Sequence, residues 1–145
     1  MAEPVIHNAS ATWVEGLRFL AVDPSKRALV LDSEFEGQPQ TGHGPYQLFL
    51  AGVAGCTGSD VASVLLKKRQ PLQGLVVEVR GTKSDDYPKR YIALHVTYRI
   101  KGAVTREAAE RAVQLSMDTY CAALATFRAA GAAITHEIVL EGTTA

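Results

Sequence analysis

"LFLAGVAGCTGSDVASVLLKKR", Leu48 to Arg69, is a nearly unbroken apolar run that carries three glycines and closes on three cations. Its length approaches the ~20 residues of a bilayer crossing. Asp60, Thr57, Ser59 and Ser63 interrupt it, and a carboxylate in the middle of a lone span costs about 3 kcal/mol. The run therefore reads as the core helix of a soluble fold, in which a neighbouring element gives Asp60 a partner. Its ends are marked. Pro45 stands where proline best opens a helix; Lys67, Lys68 and Arg69 complement the C-terminal dipole, and Gln70-Pro71 stops it.

Upstream, residues 12–22 and 27–33 are β-type runs joined by "DPSK", which reads as a hairpin, and "EGQPQTGHGP" is a loop without periodicity. Downstream, residues 75–84 and 90–101 alternate with period two around "DDYP", predicting a second, longer hairpin. Thr105 can cap a helix that Gly131 ends, with Val113, Met117, Tyr120, Leu124 and Phe127 as one buried stripe and Cys121 beside it. Residues 134–142 form a last strand. Strands, helix, strands, helix, strand is an α+β pattern, two main helices against a largely antiparallel sheet. The 145 residues contain no dividing linker or repeat, so a single domain spanning 1–145 is expected. The Leu48–Leu66 helix is apolar on more sides than one small core covers, which predicts a partner subunit.

Fifteen basic residues balance fifteen acidic ones. No general attraction to phosphate backbones or anionic membranes follows, so neither nucleic acid nor membrane is an expected partner. Two cysteines 65 residues apart fit neither a disulfide framework nor a CxxC loop. "MAEPVIHNAS" lacks the basic and apolar regions of a signal peptide, and a cytoplasmic location with reduced thiols is expected. Gly52, Gly55 and Gly58 lack the closing Gly-Lys-Ser/Thr of a phosphate loop, and no GxGxxG follows a strand, so no nucleotide cofactor is expected. His7, His43, His95 and His136 form no ligand grouping; no metal is expected.

Chemistry then rests on the thiols. Cys56 reads either as a small core residue or as a nucleophile, and the second needs a cation from elsewhere in the fold, because Asp60 one turn on disfavours a thiolate. Cys121 by itself reads as packing. Their meeting would require α-carbons within about 7 Å for a disulfide, a distance that sequence does not give.

The run "GHGPYQLFLAGVAGCTGSDVASVLLKKR", the later "DTYCAALATF" and the order of elements resemble the OsmC/Ohr family of organic hydroperoxide reductases, and "GCTGSDV" is similar to its OsmC-like branch. The resemblance implies an intertwined homodimer with active sites at the subunit interface. It also implies that one cysteine attacks the peroxide and a second resolves the sulfenic acid as a disulfide, which a dithiol reductant reopens. Cys56 and Cys121 match those cysteines, and Arg18 in "VEGLRF" best matches the family's activating arginine. Two positions depart from the pattern. Tyr46, followed by Gln47, stands ten residues before Cys56 in place of the family's glutamate, so Arg18 would need another carboxylate, such as Glu15, Glu34 or Glu36; Ala122 replaces the proline after the second cysteine.

The expected function is a thiol-dependent peroxidase that reduces organic hydroperoxides through a Cys56–Cys121 disulfide in oxidative stress defence. Tyr46, Gln47, Phe49, Val53, Met117, Leu124 and Phe127 are expected to line the substrate site, their apolar walls favouring alkyl or fatty-acid hydroperoxides over hydrogen peroxide. The alternative is an OsmC-like small-molecule binding protein with little peroxidase activity, which Tyr46 favours.

Overall fold

Gly16, at φ +52°, turns the chain between Ser10–Glu15 (β1) and Arg18–Val22 (β2). The left-handed region that costs a side chain little only at glycine is what lets the hairpin close here. The Trp13 indole N–H donates to the Gly16 carbonyl at 2.9 Å across the same turn. The stretch expected as one strand, 12–22, is thus itself a hairpin. A second turn follows, where the Asp23 carboxylate accepts the N–H groups of Ser25 and Arg27, and Ala28–Leu31 (β3) pairs antiparallel to β2 in the order β1-β2-β3. In this computed structural model, which describes residues 2–142, the chain divides at Phe49–Leu50 into two compact units.

The first unit holds this small sheet and the loop after it. His43 pairs back onto β3, its N–H donating to the Val30 carbonyl and its carbonyl accepting from Asp32. Pro45 opens the helix Pro45–Lys67 (α1), as expected from its fixed φ.

The second unit holds the rest of α1, a sheet of Leu72–Lys83 (β4), Tyr91–Gly102 (β5) and Ala133–Glu141 (β6), and an interrupted helical segment between β5 and β6. The β4–β5 hairpin is antiparallel, as alternation predicts. β6 instead pairs parallel to β5, because the helical segment carries the chain back along the sheet before β6 begins. The core follows from the two periods. Val53, Thr57, Val61 and Leu65 recur every four residues along α1 and have no exposed surface; Leu94, Val96, Tyr98 and Ile100 alternate along β5 and meet them. Fully burying each aliphatic side chain contributes roughly 1.5–3 kcal/mol.

α1 ends in a Schellman motif. Gln70 N–H donates to the Leu65 carbonyl and Arg69 N–H to that of Leu66, with Arg69 at φ +54°. Of the three glycines in the helix, Gly58 lets it lie close on β4, since a Cβ there would stand 3.2 Å from Val77 Cγ2; Gly52 and Gly55 face open space.

The segment expected as one helix between Thr105 and Gly131 is broken. Thr105 Oγ1 caps it through the N–H of Ala108 at 3.2 Å, and Arg106–Leu115 (α2) follows. Ser116–Tyr120 then form a π-helical turn, Cys121 is extended (φ −74°, ψ 103°), and Ala122–Ala129 (α3) resumes before Gly131 at φ +93°. A π turn inserts one residue into the register. The buried row therefore runs Val113, Met117, Cys121, Leu124, and Tyr120, expected in the stripe, lies 58% exposed.

Candidate functional site

Cys56 lies midway along α1, half-buried, its side chain packed against the core next to the Val53–Thr57–Val61 stripe. Cys121 lies at the break between the π turn and α3, only 3% exposed. The break is what brings it inward. Its N–H donates to the Ser116 carbonyl at 2.9 Å, closing the wide turn, and its Sγ accepts the N–H of Leu124 at 3.4 Å, so the thiol caps α3. The fold thus makes neighbours of the two side chains, Cys56 and Cys121, close enough for each thiol to feel the other, and no disulfide joins them.

The environments of the two thiols differ. Burial pushes the Cys121 thiol well above its usual range, the Leu124 N–H pulling the other way less strongly and the neighbouring Cys56 adding to the rise. At neutral pH Cys121 is a protonated thiol. Such a group is poorly suited to attack first and well placed to be consumed second, by a neighbour already oxidised.

Beside the thiols runs a chain of polar groups. Tyr98 Oη lies 2.7 Å from Thr57 Oγ1, which lies 2.7 Å from Ser116 Oγ, and Ser116 donates to Asp60 Oδ2 at 2.9 Å. Burial pushes the Tyr98 phenol up to about 12, so it keeps its proton and can donate. Asp60, whose partner sequence left open, is held by Ser116. It also faces a cleft of about 510 Å³ lined with Ser63, Val64, Lys67, Lys68 and Tyr120.

Arg18 sits in the first unit at the start of β2. Its Nη1 meets Glu15 Oε1 at 2.6 Å and its Nε donates to Asp32 Oδ2 at 3.2 Å. Glu15 is one of the three carboxylates expected to stand in for the missing glutamate; Asp32 pairs with Arg18 as well, and among the described residues Glu34 and Glu36 do not. Asp32 is 3% exposed and also accepts the Thr41 hydroxyl at 2.7 Å and the N–H groups of Thr41 and Ser33. These Thr41 bonds above all, with Arg18 adding less, hold its carboxyl down to about 2. Sequence reasoning passed over Asp32, though a lone charge closing the apolar strand "ALVLD" was the available signal.

The residues expected to wall a substrate site fall into two groups. Tyr46, Gln47 and Phe49 are exposed on the first turn of α1, where the Gln47 amide folds back over Gly44. Val53 and Leu124 have no exposed surface and Met117 almost none; they are core in the resting protein. Phe127 is half-buried, edge-on to Tyr91 with ring centres 6.2 Å apart. Among the described residues no cluster of histidine, cysteine or carboxylate suits a metal ion.

Comparison with known proteins places this arrangement. The Escherichia coli protein YhfA is 29% identical over 133 residues, which cover 90% of this chain and 97% of YhfA. Among solved structures, a hypothetical protein from Aquifex aeolicus superposes with a TM-score of 0.86 at 23% identity, covering 97% of this chain and 100% of its own. An OsmC-like protein from Mycoplasma pneumoniae superposes at 0.82 with 16% identity, covering 96% and 99%. The organic hydroperoxide resistance protein OhrB of Bacillus subtilis superposes at 0.66 with 18% identity, covering 94% and 98%. The model of the OsmC-like proteins matches residues 37–137, a span holding both thiols, the helix that carries Cys56 and the broken segment that carries Cys121, and the chain belongs to that family.

Proposed function

We propose that the protein is a thiol-dependent reductase of organic hydroperoxides, with Cys56 as the attacking and Cys121 as the resolving residue. One observation carries this reading: two cysteines 65 residues apart in sequence are neighbours in the fold, one half-buried and one buried and held protonated. The Cys56 thiolate attacks the outer peroxide oxygen, the O–O bond breaks, and the alkoxide leaves and takes a proton to become an alcohol. Cys56 is then a sulfenic acid. The Cys121 thiol displaces its hydroxyl as water, forming the Cys56–Cys121 disulfide, and an external dithiol takes the oxidation away by exchange. The core packing around Cys56 favours alkyl over hydrogen peroxide.

Arg18 enters as the cation that stabilises the thiolate and the departing alkoxide, its guanidinium oriented by Glu15 and Asp32. A second copy of the chain completes the assembly in this reading. Two features support it: on α1 Phe49 and Leu66 are about 60% exposed and Gly52 and Gly55 face open space, and β1 to β3 leave Trp13, Val14, Leu20 and Leu29 exposed.

The test is intact mass and thiol count after stoichiometric cumene hydroperoxide, in the parent and in Cys56→Ser and Cys121→Ser variants. The expected result is loss of both thiols in the parent, accumulation of sulfenic acid without Cys121, and a rate at least ~10³-fold lower without Cys56. Survival of both parental thiols in excess peroxide overturns the assignment.

A further inference from the structure

Ser116 contacts both thiol-bearing segments. Its Oγ reaches Thr57, the residue after Cys56, at 2.7 Å and Asp60 at 2.9 Å, while its carbonyl accepts the N–H of Cys121 at 2.9 Å. The side chain of Ser116 thus ties the π turn to α1 just after Cys56, and its carbonyl holds the backbone of Cys121. Ser116, Thr57 and Tyr98 have no exposed surface, so water does not replace these bonds.

The chain also has a direction. The Ser116 hydroxyl donates to Asp60 Oδ2, so its one proton points there. Ser116 must then accept from Thr57, and Thr57, its one proton spent, must accept from Tyr98. Every hydroxyl is satisfied in one orientation only. Among the described residues no buried side-chain polar atom lacks a partner. Removing a link strands its neighbours, and the π turn loses its tie to α1.

We infer that Ser116, acting with Thr57 through this chain, is a positioning residue that holds Cys121 within reach of Cys56. Its use in turnover rests on the two-thiol reading above, but the positioning is measurable without peroxide. In a glutathione redox buffer the S–S bond of glutathione disulfide breaks and the Cys56–Cys121 bond forms, the protein giving up two electrons and the two thiol protons ending on two glutathiones. The equilibrium constant is the effective concentration of one protein thiol at the other.

The experiment equilibrates the parent, Ser116→Ala, Thr57→Val, Thr57→Ser and Val61→Ala with glutathione and measures the oxidised fraction by mass. Ser116→Ala and Thr57→Val are expected to lower the effective concentration about tenfold. Thr57→Ser, which restores the hydroxyl, and Val61→Ala, which loosens the same helix without touching the chain, are expected to match the parent. Thr57→Val keeps the side-chain volume and carries the test should Ser116→Ala fail to fold. Parental equilibria in both chain variants, or an equal shift in Val61→Ala, overturn the inference, as does a parent that forms no disulfide at any glutathione ratio. A parent that glutathione disulfide oxidises but peroxide does not refutes the peroxidase reading and leaves the positioning role standing.

Discussion

The two cysteines sit on helical segments that pack within one core, yet the segments are built differently. α1 runs 23 residues from Pro45 to Lys67 in one piece, and Cys56 takes its place from the regular ladder. The segment of α2, π turn and α3 is broken within a few residues of Cys121, whose extended backbone belongs to neither helix. A thiol inside a continuous helix is located by its own neighbours in sequence. A thiol at a break is located by whatever clamps the break, here Ser116 and the N-terminus of α3. The difference teaches why the two thiols also differ chemically: the break turns Cys121 inward, where burial keeps it protonated.

Core truncation breaks the comparison most severely. Leu65→Ala on α1 and Leu124→Ala on α3 each empty a fully buried site and are expected to cost about 2–5 kcal/mol in urea unfolding. If the broken segment is held chiefly by its clamp, Leu124→Ala also exposes Cys121 to a thiol reagent, whereas Leu65→Ala leaves Cys56 labelling near the parental rate. Equal labelling changes at both cysteines would erase the distinction.

A gentler pair of changes sharpens it within α1. Gly55→Ala adds a methyl into open space and gains helix propensity, about 0.5–1 kcal/mol. Gly58→Ala meets Val77 at 3.2 Å and is expected to gain little or nothing. Loss of association in Gly55→Ala, read by sedimentation, would put a second copy against that face.

The smallest effect is the pH dependence from Cys121. Its folded pKa is raised, so the unfolded chain releases this proton first as the pH climbs from about 9. The contribution is complete below the unfolded pKa and is lost as pH rises through the folded one. Thermal unfolding is expected to show a decline on the alkaline side that Cys121→Ala removes; an unchanged slope would mean that the thiol is not held protonated.

Much of the fold was legible in local pattern. Pro45, the Thr105 cap, Gly131 and the alternation of 75–84 and 90–101 each fix backbone geometry over a few residues, and elements appear where they point. The apolar α1 and the two thiols were legible for the same reason. The break at 116–121 was not, because a row at spacings of four and three looks the same until a tertiary contact inserts a residue. Nor was the parallel pairing of β6, which depends on where the preceding segment lands.

By itself, then, the sequence determined the α+β class, the ends of most elements and the two candidate thiols, all properties of neighbours in the chain. Only the tertiary structure decided that Cys121 meets Cys56, that Ser116 holds Asp60, and that Arg18 pairs with Asp32 as well as Glu15. Most of those partners lie far apart along the chain, and no local periodicity encodes the distance between their side chains.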